Sequence, residues 1–86
     1  MPTVSRFFGI TIRMYYDDHP PSHFHAYYAE HAAKIAIESL ELTEGRLPRR
    51  ALALVLEWAA EHRDELRENW QFADQHQPLV AISPLE

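Results

Sequence analysis

His23-Phe24-His25-Ala26-Tyr27-Tyr28-Ala29-Glu30-His31-Ala32-Ala33-Lys34-Ile35-Ala36-Ile37-Glu38 alternates apolar and polar side chains on either side of a polar interruption. A period of two marks a strand with one buried face. The stretch therefore reads as two strands, over residues 23–28 and 33–38. A two-residue turn at Glu30-His31 pairs Tyr28 with Ala33, Ala26 with Ile35, Phe24 with Ile37 and His23 with Glu38. Phe24, Ala26, Tyr28, Ile35 and Ile37 then share one face, and His23, His25, Tyr27, Lys34 and Glu38 share the other. A slip of one residue would scramble both faces. The turn lacks the Asn-Gly or Gly of a tight hairpin, so a loop one residue longer is the alternative.

Upstream, the alternation from Arg6 to Tyr16 reads as one strand. Phe8, Ile10, Ile12, Met14 and Tyr16 lie on one side, with Phe7, Thr11, Arg13 and Tyr15 on the other. Asp17-Asp18-His19-Pro20-Pro21-Ser22 ends it, because proline cannot donate to a ladder. Leu40 and Leu42 continue the alternation with shifted parity, which a bulge near Ser39 or a short fourth strand explains. Gly45 breaks the chain and Pro48 suits a first helical turn. Leu52, Val55, Leu56, Ala59, Leu66, Trp70 and Ala73 then keep a helical stripe. Arg63 interrupts that stripe, so one long helix and two abutting helices are both open. The expected fold is α+β: a three- or four-stranded antiparallel meander packed against a long C-terminal helix or helix pair. It forms a single domain over residues 1–86, with a β-rich part at 1–44, a helical part at 48–76 and a C-terminal extension at 77–86.

Eighty-six residues with 47% hydrophobic composition suffice for one small core. With no cysteine, neither a disulfide nor a thiolate metal site is available. A small secreted domain usually needs such staples, so a cytoplasmic setting is expected. Met1–Arg6 does not read as a signal peptide, and no apolar run approaches the length of a membrane span. Charge is uneven: residues 1–50 balance, and residues 51–86 carry the whole net charge of −5. Nucleic acid is therefore expected only as a specific substrate, since general binding needs a basic footprint. No separate basic recognition helix supports a helix-turn-helix regulator.

The concentrated chemistry lies at Asp17-Asp18-His19-Pro20-Pro21-Ser22-His23-Phe24-His25. In one reading, His19, His23, His25 and Asp17 hold a divalent transition metal through neutral imidazoles and a carboxylate. In a second, His23 and His25 act as general base and acid in ribonuclease-type cleavage, with Arg13 and Lys34 holding the phosphate. In a third, the two histidines are structural and hydrogen-bond to loop carbonyls and to Asp17 or Asp18. Elsewhere, the segment Ala51–Ala60 is apolar nearly all round, with Leu54 and Trp58 off the main stripe. Such a segment is covered on both sides, either by the C-terminal residues Pro78–Leu85 or by another chain. Arg46, Arg49 and Arg50 put positive charge at a helix start, against the dipole, which suits an anionic partner. Leu54, Trp58, Arg49 and Arg50 are accordingly the candidate partner-binding residues, for a small protein partner or a homo-oligomer.

The stretches Met1–Ile10, Ile12–Tyr15, Asp18–Pro21, His23–Ala26, Glu44–Ala51 and Val55–Ala59 together resemble an uncharacterised bacterial family, domain of unknown function 4160. The resemblance spans nearly the whole chain. It implies a cytoplasmic bacterial protein forming one half of a toxin–antitoxin-like module and acting through protein–protein association. It assigns no catalytic residue and no cofactor.

Overall fold

Phe8 and Gly9 sit at φ 49° and 80°. Two consecutive left-handed residues between strands make a mirror-image tight turn, whose twist suits a hairpin. In the computed structural model, which describes residues 2–86, this turn divides β1 (Thr3–Phe7) from β2 (Ile10–Arg13). The single strand expected over Arg6–Tyr16 is thus two. The correction changes which phenylalanine is inside. Phe7 pairs directly with Ile10, and paired residues share a face. Phe7 is therefore buried and Phe8, at the tip, is 61% exposed.

β3 (His23–Tyr28) and β4 (His31–Ala36) form the expected hairpin, but its turn is Ala29-Glu30. Phe24 pairs with Ile35, Ala26 with Ala33 and His25 with Lys34. The register is two residues away from the expected one. A two-residue slip returns every side chain to its own face, so the alternation holds in both registers and only the turn decides between them. Ala29 takes φ 51° to make that turn. The short additional strand forms as β5 (Leu42–Gly45), antiparallel to β4. Gly45 closes β5 rather than breaking away from it. Its φ is 80°, and a Cβ there would stand 2.1 Å from the Ala32 carbonyl oxygen, so no other residue fits. Glu38 lies beyond β4, off the histidine face, and pairs with Arg67.

The five strands run β1-β2-β3-β4-β5 in one antiparallel sheet. Two helices, α1 (Arg49–Glu61) and α2 (Arg63–Asp74), cover one face. They are separate because His62 leaves the helical region at φ −123°. Its ring then bonds Glu65 at 2.6 Å across the start of α2. Arg63 interrupts the apolar stripe because its Nε donates to the Ile37 carbonyl at 3.2 Å, beyond the end of β4. Ile12, Phe24, Ile35, Val55, Trp58 and Leu66 are completely buried between the layers, each contributing roughly 1.5–3 kcal/mol or more from area removed from water.

Trp58, one of the candidate partner-binding residues, lies wholly in the core. Its ring packs on Phe7 and Phe24, and its Nε1 donates to the Ser83 carbonyl at 2.8 Å. The C-terminal segment is what covers this side of α1. It is fastened by Ile82 N–H to the Val4 carbonyl at 2.7 Å and by two bonds between Asn69 and the backbone of Val80 at 2.8 Å. Its own Ile82 and Leu85 side chains are buried.

Candidate functional site

Alternation along β3 sends His23 and His25 to the same face, at the end of the sheet where that strand begins. Arg13, His25 and Lys34 stand side by side on three neighbouring strands. The loop between β2 and β3 brings Asp18 over them. One carboxylate oxygen, Oδ2, lies 2.8 Å from Nε2 of His23 and 3.1 Å from Nε2 of His25. His23 is 4% exposed. Its Nδ1 donates to the Pro21 carbonyl at 2.9 Å, and its ring packs on Trp70. Tyr15 meets the His25 ring edge-on at 4.8 Å. Burial alone would raise the Asp18 carboxyl, but the His25 bond, the His19 backbone N–H and the nearby His23 together hold it below its ordinary value.

The tyrosines extend this face. The Tyr15 and Tyr27 hydroxyls share a 2.6 Å hydrogen bond. Burial first, then that bond, pushes the Tyr27 hydroxyl up to about 12. The Arg13 guanidinium stands 5.3 Å from the Tyr27 ring centre, while its buried Nε has no hydrogen-bond partner. Lys34 is engaged by Glu44 across β4 and β5.

The structure thus gathers His23 and His25, flanks them with Arg13 and Lys34, and leaves two expected ligands outside. Asp17 turns away at φ 60° and pairs with His76 at 2.9 Å. His19 is exposed, and its backbone N–H donates to Asp18 Oδ1 at 3.0 Å. Asp18 takes the place given to Asp17 in the expected ligand set. The two are adjacent, and a left-handed residue between strand and loop points their side chains apart. The hydrogen bonds expected of structural histidines, to a loop carbonyl and to Asp18, are present. As an acid–base pair the two imidazoles have an awkward feature: both Nε2 atoms converge on one oxygen, instead of standing on opposite sides of a reacting phosphate.

A second feature lies at the opposite end of the sheet. A cleft of about 180 Å³ is walled by Phe8, Ile10, Tyr28, Pro48, Arg50 and Leu54. It is smaller than the several hundred Å³ typical of metabolite pockets, and so better suited to a single side chain. Of the expected partner-binding residues, Leu54 and Arg50 line it, and exposed Arg49 adjoins it. The lysine and arginine ion pairs among the described residues are Lys34–Glu44, Arg67–Glu38 and Arg67–Asp64. Arg6, Arg46, Arg49 and Arg50 are exposed and belong to none of them. Sequence reasoning missed Phe8 here and placed it in the core. Gly9, beside two aromatic residues, was the available sign of a turn. No helix among the described residues is long and apolar enough to cross a membrane.

No curated protein and no solved structure matches the chain. Residues 9–71 match the model of a domain of unknown function, a span that holds Asp18, His23, His25, Arg50 and Leu54 but not β1 or the C-terminal wrap. The chain therefore belongs to the domain of unknown function family DUF4160.

Proposed function

We propose that this protein acts in the cytoplasm by binding a small protein partner, as one half of a toxin–antitoxin-like pair. Phe8 carries the proposal. A large apolar side chain is held in the left-handed region, 61% exposed, on the rim of an apolar cleft. Nothing in the fold rewards that arrangement. The left-handed backbone costs a non-glycine residue about 1 kcal/mol, and the ring buries little in return. Residues that break a local rule without a folding gain point to function.

The chemistry of the rim indicates what kind of surface would complete it. Arg50 lines an apolar cleft of side-chain size and exposed Arg49 precedes it in the chain, neither in an ion pair among the described residues, which favours a partner segment bearing acidic residues and one apolar anchor. Leu54 and Phe8 would receive the anchor, while Arg49 and Arg50 would face the acidic groups. The lack of cysteine suits a reducing compartment.

Size-exclusion chromatography with light scattering tests the reading, using the full chain alone and mixed with the product of the adjacent gene. A 1:1 complex is expected. The Phe8→Asn and Arg50→Glu chains should each weaken it by roughly 30-fold or more, the loss that marks an interface hot spot. A chain that stays monomeric and ignores that product would overturn the proposal. A homodimer abolished by the same substitutions would transfer the surface to self-association.

A further inference from the structure

We infer that Asp18, His23 and His25 form a three-ligand site for a divalent transition-metal ion of the zinc, cobalt or nickel class. Hydrogen bonding fixes the tautomer of His23. Its Nδ1 lies 2.9 Å from the Pro21 carbonyl oxygen. A carbonyl offers only lone pairs, so Nδ1 carries the hydrogen. In the neutral ring, Nε2 then presents a lone pair to Asp18 Oδ2, 2.8 Å away, where a carboxylate presents another. His25 aims its own Nε2 at that oxygen from 3.1 Å. Ring nitrogens and a carboxylate oxygen that converge this closely need a positive centre among them. A proton on an imidazole is one such centre, and a bound cation is the other.

The geometry fits a cation. The three donor atoms lie within 4.8 Å of one another. With bonds of about 2.0–2.1 Å in a tetrahedral site, neighbouring donor atoms stand about 3.3 Å apart. The observed nitrogen-to-oxygen separations of 2.8 and 3.1 Å need to open by a few tenths of an ångström, and the two imidazole nitrogens, within 4.8 Å of each other, need to close toward the same spacing. Asp18 sits on a loop and the His25 side chain is partly exposed, so these two can adjust around the buried His23 ring while the β3 backbone stays in place. Two imidazoles and a carboxylate are donors for borderline divalent ions rather than calcium or magnesium.

The surroundings match the same demand. A ligating histidine ordinarily donates its other N–H to a carbonyl or carboxylate, which fixes the tautomer and aims the lone pair. Pro21 does this for His23. Trp70 and Tyr15 wall the rings at 5.2 and 4.8 Å, limiting rotation away from the ion. Three protein donors leave one position of a tetrahedral ion for water or another ligand, the pattern of sites that do chemistry rather than purely structural ones.

The test uses untagged full-length protein, stripped with chelator and titrated with Co²⁺ and then Zn²⁺. One equivalent of Co²⁺ with visible d–d absorption is expected, displaced by one equivalent of Zn²⁺. His25→Ala and Asp18→Asn should weaken binding by roughly 100-fold or more, because even loss of an outer-shell partner costs about 10–100-fold. Asp17→Asn and His19→Ala should bind as wild type does. Binding that persists unchanged in His25→Ala, or that is lost in Asp17→Asn and His19→Ala, would overturn the assignment. Wild-type protein keeps the test decisive if a variant fails to fold. Zinc at a hundredfold excess over its dissociation constant should raise the melting temperature by roughly 10–20 °C, and no rise would also overturn it.

Discussion

Where β3 begins, Asp18, His23 and His25 are bonded to one another, to Pro21 and to His19, and they rest on Trp70 and Tyr15. Where β1 turns into β2, at the other end of the same sheet, Phe8 is bare, and Arg6 and Arg50 beside it are in no ion pair among the described residues. The first end is polar chemistry absorbed into the fold, so its residues hold the loop in place whatever else they bind. The second end is apolar and cationic surface that the fold leaves unused. A function at the first end is entangled with stability, whereas one at the second is free of it. Mutational data on the two ends should therefore differ in kind as well as in size.

The largest effect should come from His23→Ala in metal-free protein. It deletes a buried ring, opens a void against Trp70, and strips partners from Asp18 and the Pro21 carbonyl. Lost packing and an unsatisfied carbonyl together are expected to cost about 2–4 kcal/mol. In a domain of this size that lowers the melting temperature by roughly 10–20 °C, measured by circular dichroism. A drop of only a degree or two would show that the histidine end is as independent of the fold as the arginine end, and the comparison would fail.

A smaller loss is expected from Asn69→Ala, which asks whether the C-terminal wrap keeps Trp58 from becoming a third surface. Asn69 is 1% exposed and both accepts from and donates to the Val80 backbone. Removing it leaves both groups unpaired and should cost about 1–3 kcal/mol. If the wrap lifts, Trp58 loses its bond to Ser83 and its fluorescence moves to longer wavelength. Unchanged fluorescence with unchanged stability would mean that Ile82 and Leu85 hold the segment without help.

The layers of this fold were legible because alternation and helical periodicity report which face is buried, and burial is most of what folding selects. Alternation says nothing about a slip of two residues. Ala29 at the β3–β4 turn, with no glycine or asparagine to announce it, therefore escaped. At Phe7-Phe8 the pattern misled for a related reason. Both residues are aromatic, so the parity could pass through the turn unbroken, and only Gly9 spoke against it. The candidate site divides along the same line. The shared face of His23, His25, Arg13 and Lys34 follows from strand period, but the choice of Asp18 over Asp17 depends on a loop torsion that no period encodes. Asn69 lay within a helix whose polar residues are mostly solvated, and its burial became visible only with the segment that covers it.

The smallest change sharpens the comparison most, because its sign is opposite to the others. Phe8→Asn replaces Phe-Gly with Asn-Gly, the pair that a two-residue turn with both φ values positive favours. Asparagine accepts the left-handed region more readily than phenylalanine. Little packing is lost, since the Phe8 ring is largely exposed. Stability should therefore rise, by roughly 0.5–1 kcal/mol, read as a higher denaturant midpoint with an unchanged slope. A protein made more stable by losing an exposed ring, and made worse at binding by the same change, would show that the ring is kept for the partner. A loss of stability above about 0.5 kcal/mol, beyond what an ordinary surface change produces, would instead show that Phe8 packs into its own cleft. The arginine end would then be part of the fold, as the histidine end already is.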